Sequence, residues 1–196
     1  MKTNSYFLTG ADMLSRILPP LNFGTFVLYM SVLLDLAREM SDEEERKYER
    51  RGYLTLMNGI NGEIIFTIPF GEIPEDKRER YFKNSQEKAN RLFSQINASS
   101  FLNGHTSSYQ SRNPDEQKYG GAIHLNGHST SIILSFSGMP ELIDEAMMLV
   151  LANKLVKDIE LRNVRKIEAC GRNPYWEHLQ GKFMEHPSIV LKVLKK

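Results

Sequence analysis

Two pairs of small residues carry the strongest chemical signal in this sequence. Gly120-Gly121 stands at the start of a predicted strand, and Ser137-Gly138 closes the next predicted strand, shortly before Pro140. Proline suits the first turn of a helix, because its missing N–H would be unpaired there in any case. The free N–H groups of a helix N-terminus favour an anionic group, and glycines let that group approach the backbone. We therefore predict that these four small residues contact a ligand. The alternatives are close backbone packing at the glycines and capping of the helix by local side chains.

Three polar side chains near the first glycine pair complete the predicted ligand-binding set: Arg112, Lys118 and His124. Arginine binds a carboxylate through two parallel hydrogen bonds, whereas lysine acts as a point charge. An enzyme that acts on a small acidic metabolite through these three residues is a less favoured interpretation. We assign no catalytic residue, because the sequence contains no nucleophile-elbow, zinc-protease or phosphate-loop motif.

The histidines do not predict a metal site. His124 and His128 are four residues apart across a predicted hairpin, so they do not share a helical face. Metal binding needs three or four converging ligands, and nothing in the sequence requires His105 to join them. Surface or hairpin positions are therefore favoured over a metal or haem-iron role.

Four segments alternate in the manner of strands and form two hairpins: 53–57 with 63–70, and 117–125 with 131–137. Asn-Gly pairs lie between the members of each hairpin, and this dipeptide favours the tight turns that join antiparallel strands. The polar segment 104–117 has room for one more short strand. We therefore predict an antiparallel sheet of about five strands.

Three segments have the apolar periodicity of helices: 24–50, 81–97 and 140–157. The segment 140–157 is apolar around most of its circumference, which predicts burial on several sides, inside the fold or in a subunit interface. The tail 187–194 fits a short helix or a docking strand. These helices and the predicted sheet indicate an α+β fold. The apolar helical segments also motivate an alternative function, non-catalytic homo-oligomeric assembly.

Composition narrows the class of partner. The 196 residues include 25 basic and 24 acidic side chains, which gives a net charge of +1. Proteins that coat nucleic acid are usually far more basic, so no nucleic-acid partner is predicted. The apolar stretch Leu18–Leu36 is interrupted and too short to span a bilayer, so no membrane partner is predicted. The single cysteine, Cys170, excludes an intrachain disulfide and favours a reducing, cytoplasmic location.

Over roughly residues 53–157, the chain resembles the GlcG/HbpS-like family of small α/β proteins, which includes relatives at the ends of corrinoid adenosyltransferases. The resemblance follows a series of short motifs in chain order: the hairpin Asn58–Gly62, Lys88-Ala89, Gly120-Gly121, Ser137-Gly138 and Asp144. It implies a profilin-like sandwich, frequent homo-oligomerisation, and haem or a related tetrapyrrole as candidate ligands. Residues 1–50 and 158–196 are then N-terminal and C-terminal extensions of a single domain, 1–196.

The chain departs from the family pattern where the ligand space is expected. Asn58 stands where the family usually has aspartate, and Ala122-Ile123 stands where a proline usually follows the glycine pair. Ile132 and Ser135 occupy positions that are typically glycine, so the space over the sheet is expected to be narrower. The sequence therefore predicts a small-ligand-binding protein of this type, with haem or another tetrapyrrole as one candidate cofactor.

Overall fold

The computed structural model describes residues 23–40, 51–98, 106–126, 131–158 and 172–193. The elements in chain order are α1 (Phe23–Met40), β1 (Gly52–Asn58), β2 (Ile64–Phe70), α2 (Glu75–Ala98), β3 (Ala122–Asn126), β4 (Ser131–Ser137), α3 (Glu141–Asp158), α4 (Trp176–Glu185) and α5 (Pro187–Val193). Two 3-10 helices, Ser108–Ser111 and Pro114–Glu116, lie between α2 and β3. His105, His128 and Cys170 lie outside the described residues.

The four strands form one antiparallel sheet in the order β2-β1-β4-β3. The α+β class and the antiparallel sheet flanked by helices are therefore confirmed. A fifth strand is not confirmed in the described part of the chain. There, Ser107 forms a single antiparallel bridge with Ile123, and the Thr106 carbonyl accepts the N–H of His124 at 2.9 Å. The chain then turns into the 3-10 helix Ser108–Ser111, because Ser107 caps that helix and so ends the pairing.

One face of the sheet is covered by α3 and by α1, whose Phe26 meets Phe66 of β2, and α4 packs on these two helices. The strand residues that face these helices are apolar, and all belong to one buried cluster: Leu54, Leu56, Ile123, Leu125, Ile132, Leu134 and Phe136. Helix α3 contacts β3, β4, α1 and α4, so its neighbours surround it within the same chain. This burial accounts for its all-round apolar character without a subunit interface, and homo-oligomerisation stays a prediction. Among the described helices, none is long and apolar enough to cross a bilayer.

The other face of the sheet is covered by α2. Its buried cluster is smaller and contains Met57, Ala89, Leu92, Ala122 and Ile133. Helix α2 crosses the sheet, since it contacts all four strands. The prediction of a helix at 81–97 is confirmed, but α2 begins earlier, at Glu75. Glu75 and Asp76 lie in its first turn, where carboxylates favour the positive end of the helix dipole.

The start of β3 also differs from the prediction. The strand predicted over 117–125 begins only at Ala122, because residues 114–116 form a 3-10 helix and Gln117 adopts a left-handed conformation. The ambiguous tail is helical over Pro187–Val193, and its Ile189 is buried in the core. The predicted helix 24–50 is described only as far as Met40.

Candidate functional site

The two pairs of small residues, Gly120-Gly121 and Ser137-Gly138, lie at the same end of the sheet, where β3 begins and β4 ends. The N–H of Phe136 donates to the carbonyl of Gly121 at 3.0 Å, which brings the two segments together. Gly121 has a φ of +112°, in the region that favours glycine. A Cβ there would lie 2.8 Å from Cβ of Asp144 and 3.0 Å from Nζ of Lys88. Position 121 therefore requires glycine, both because of its backbone conformation and because neighbouring side chains leave no room for a Cβ.

The other small residues of the predicted ligand-binding set are also packed. A Cβ on Gly120 would lie 2.9 Å from Cδ2 of Tyr109, and one on Gly138 would lie 2.1 Å from the carbonyl oxygen of Arg51. Ser137 is buried. The structure thus brings the four residues to one end of the sheet and fills the space in front of the glycines with protein atoms.

A buried ion pair occupies this end of the sheet. Nζ of Lys88, from α2, lies 2.9 Å from Oδ2 of Asp144 in α3 and donates to the carbonyl of Phe136 at 2.9 Å. The N–H of Met139 donates to Oδ1 of Asp144 at 3.0 Å, so this carboxylate binds the backbone that leads into α3. Burial raises the pKa of Asp144 to about 6, and its attraction to Lys88 and the N–H groups of Met139 and Gly138 opposes that rise. A carboxylate of α3 itself therefore lies against the segment just before the helix N-terminus that was predicted to receive an anion.

The neighbouring carboxylate, Glu145, is fully buried and is bonded by several groups. Ser107 Oγ contacts Oε1, Nη2 of Arg172 lies 2.6 Å from the same oxygen, and Nδ2 of Asn173 donates to Oε2 at 2.9 Å. The guanidinium of Arg172 also lies over the ring of Tyr109, 3.7 Å from its centroid. The network fastens Arg172 and Asn173, which precede α4, to α3.

Each of the three polar residues predicted to bind a ligand is paired with another residue of the protein. Nε of Arg112 lies 2.6 Å from Oε1 of Glu141, and Lys118 pairs with Glu116. Nε2 of His124 lies 2.9 Å from Oγ of Ser131. Burial lowers the pKa of His124 to about 4, so this imidazole is neutral at pH 7.

An open cleft lies at the same end of the sheet, where β1 begins, β2 ends and α2 begins. Its volume is about 800 Å³, and it is lined by Arg51, Tyr53, Pro69, Gly71, Glu72, Ile73, Pro74 and Arg78. Arg51 is only 7% exposed. Nε of Arg78 donates to the carbonyl of Ile73 at 3.2 Å, which orients its guanidinium. The cleft adjoins the predicted site, because Gly138 packs directly on the backbone of Arg51.

The residues that line the cleft are of types that bind ligands, and they do not form a recognised catalytic arrangement. Two guanidiniums and one phenol stand beside the apolar surfaces of Pro69, Ile73 and Pro74. Tyr53 is the lining side chain of a type that coordinates haem iron. In the described part of the chain, no three His, Cys, Asp or Glu side chains are grouped as a metal site requires.

Sequence reasoning missed both the buried ion pair and the cleft. One signal for the pair existed: Tyr81, Ser85, Lys88 and Leu92 follow the three- and four-residue steps of a single helix face, and all four are buried. A lysine in such a stripe requires a buried partner. The cleft gives no comparable signal, since its residues come from strand ends and a loop that only the fold brings together.

Comparisons with known proteins identify no relative: no protein family, curated protein or solved structure matches the chain. The resemblance to the GlcG/HbpS-like family therefore stays a prediction that rests on its short motifs. The geometry of the cleft is the remaining basis for a functional proposal.

Proposed function

We propose that this protein binds a small ligand without transforming it, and that the ligand occupies the cleft beside Arg51 rather than the glycine turns. One observation carries the proposal. The cleft holds about 800 Å³ of open space, whereas the space at Gly121 and Gly138 is filled by protein atoms. Ligand sites typically have volumes of roughly 300–1,000 Å³ and combine apolar walls with a few polar groups. The volume of this cleft lies in that range, and its lining combines apolar side chains with a larger share of polar groups.

The proposal includes a profilin-like, GlcG/HbpS-type fold. An antiparallel sheet with helices on both faces is what that resemblance implies. The bridge between Ser107 and Ile123 extends the sheet beyond β3, at the position where a fifth strand would lie. Both observations support this assignment at the level of architecture.

Haem is one candidate ligand. Its propionates suit arginine, because guanidiniums pair with carboxylates through parallel hydrogen bonds. Tyr53 offers an oxygen for the iron, whereas His124 is bonded to Ser131 beneath α2. A haemin titration followed at the Soret band tests this version. We expect saturation at micromolar haemin and loss of the shift in Tyr53→Phe; an unsaturable response in the wild type rejects haem.

The general proposal is tested by protein-observed NMR with a panel of small organic acids, amines and neutral ring compounds. Binding in the cleft should perturb the amides of Gly71, Ile73 and Arg78 in a saturable manner. It should leave the amides of Gly120 and Gly121 nearly unchanged. Perturbations centred on the two glycines would place the binding site at the glycine turns instead. If no compound of the panel shows saturable binding, ligand binding is rejected.

A further inference from the structure

The charges of the cleft favour an anion. Arg51 and Arg78 line it together with one acidic side chain, the exposed Glu72. Buried Arg51 gives a cationic group with little access to water, where charge interactions are stronger. The lining residues of the cleft therefore include two cationic side chains and one acidic side chain.

Arg78 keeps donors available for that ligand. Its Nε donates to the carbonyl of Ile73, and its Nη1 lies 2.7 Å from Oε2 of Glu75. Among the described residues, its Nη2 has no partner. The ion pair with Glu75 is strongly exposed, with side-chain exposures of 55% and 85%. Such surface pairs contribute little stability, so a ligand carboxylate can compete for the guanidinium.

The apolar part of the cleft lining suits a flat ring. Tyr53 lines it and meets Phe82 edge to face, with ring centroids 5.5 Å apart and planes at 85°. Phe82 is 38% exposed, one of the few large apolar side chains at the surface of the described chain. Pro69 and Pro74 add rigid apolar surface. Aromatic rings gain stability from offset or edge-on contacts with other rings.

We propose that the ligand is a small organic acid whose carboxylate faces Arg51 and Arg78 and whose planar ring lies against Tyr53. This inference rests on the proposed function and adds the chemical class of ligand. An inorganic anion would use the guanidiniums alone and leave the apolar walls uncovered. A neutral ring compound would cover the walls and leave the guanidiniums without a ligand partner.

The test uses the full chain and four probes of defined chemistry. 2-Naphthoate carries both features, 2-naphthamide removes the charge, hexanoate removes the ring, and inorganic phosphate keeps only the charge. Affinities are measured by calorimetry, and amide shifts locate the site. We expect 2-naphthoate to bind at least tenfold more tightly than 2-naphthamide, because hydrogen bonds to charged groups are the stronger ones. It should also bind at least tenfold more tightly than hexanoate and phosphate, because neither of them has a ring to place against Tyr53.

A pair of variants assigns the effect to the cleft. Arg78→Gln should weaken 2-naphthoate about tenfold and leave 2-naphthamide unchanged. Arg80→Gln removes the same charge from the same helix, at a side chain that lies over the ring of Tyr81 and does not line the cleft, and should change neither affinity. Since Arg78 is half exposed, both variants are expected to fold, and circular dichroism verifies it.

The outcomes separate this inference from the proposed function. Equal affinities for 2-naphthoate and 2-naphthamide, with shifts in the cleft, would retain ligand binding and overturn the choice of an acid. Binding of hexanoate or phosphate as tightly as 2-naphthoate would overturn the planar ring. Absence of cleft binding by these probes and by the whole NMR panel would overturn both proposals.

Discussion

The two faces of the sheet are built from different kinds of residue. Toward α1 and α3 the strands present apolar side chains, such as the fully buried Leu134 and Phe136. Toward α2 the same strands present a mixture, in which buried Thr55, Ser135 and His124 accompany apolar residues. We call these the apolar face and the mixed face. The strand residues of the apolar face contribute apolar burial, whereas the mixed face also depends on which polar groups meet.

Polar contacts on the mixed face join α2 to specific strands. Oγ1 of Thr55 lies 2.9 Å from Oγ of Ser85 in α2 and 3.1 Å from Oγ1 of Thr67 in β2. At the end of the sheet, Lys88 reaches past β4 to Asp144. Because hydrogen bonds are directional, these contacts fix the position of α2 more narrowly than apolar packing does. The polar contacts of the mixed face therefore set the position of α2, whereas apolar burial on the other face supplies most of the stability of the fold.

The largest effect should come from breaking the buried ion pair. Lys88→Met leaves the Asp144 carboxylate buried without its cation, and such a change typically costs about 3–5 kcal/mol. We expect a loss of that size in the free energy of unfolding at pH 7, measured by urea denaturation. The double variant Lys88→Met with Asp144→Asn removes the charge and should recover part of the loss. A single-variant loss below about 1 kcal/mol would mean that the pair is not desolvated as described.

An intermediate effect should appear in the pH dependence of stability. The pKa of Asp144 is about 6 in the folded chain and ordinarily 3.8, so folding tightens proton binding. Its contribution is greatest below pH 4 and is lost as the pH rises to 6. For His124 the folded pKa of about 4 lies below the ordinary 6.5, so its contribution is complete above pH 6.5 and is lost toward pH 4. The two groups oppose each other over nearly the same range.

Asp144→Asn removes one of these opposing contributions. Unfolding free energies measured from pH 4 to 7 should then rise more steeply with pH than in the wild type. The difference across the range should be on the order of 3 kcal/mol, since one pKa unit corresponds to about 1.4 kcal/mol. Leu134→Ala, on the apolar face, should lower stability by roughly 2–5 kcal/mol without a change of slope. Parallel curves for wild type and Asp144→Asn would contradict the raised pKa.

The smallest effect should come from a hydroxyl on the mixed face. Oγ of Ser135 is buried and has no hydrogen-bond partner among the described residues. Ser135→Ala removes a polar group that burial penalises, so we expect a gain of up to about 1 kcal/mol in unfolding free energy. Thr55→Ala is the matched contrast: it breaks two hydrogen bonds and should cost about 1–2 kcal/mol. A similar cost for Ser135→Ala would reveal a partner for its hydroxyl.

Sequence reasoning predicted the elements whose signals are local. The alternation of Ile132, Leu134 and Phe136 identified β4, and the Asn-rich turn before Glu63 identified the first hairpin. The first turns of α2 were missed because residues 75–80 are all charged and show no apolar period. The predicted fifth strand is reduced, in the described chain, to the bridge at Ser107, since capping of the following 3-10 helix is a stronger local signal than pairing.

The candidate site was predictable only in part. That Gly121 and Ser137 lie at one end of the sheet follows from the hairpin register. That the space beside Gly121 is filled does not follow, because Lys88 and Asp144 are 56 residues apart and meet only through the crossing of α2 over the sheet. Arg51 and Arg78 are likewise brought together by the ends of β1 and β2, and spacing along the chain does not reveal this.

The corner formed by Gly121, Lys88 and Asp144 also restricts how the sequence can change. A side chain at position 121 would collide with the other two residues, and loss of either ionic partner leaves a buried charge. A replacement at one of these positions is therefore tolerated only when one or two of the others change with it, and such combinations rarely arise through single substitutions. The adjoining cleft has no such constraint at its exposed members, Glu72 and Arg78. Under the proposed function, the ligand preference of the cleft can therefore change one residue at a time while the neighbouring corner keeps the fold constant.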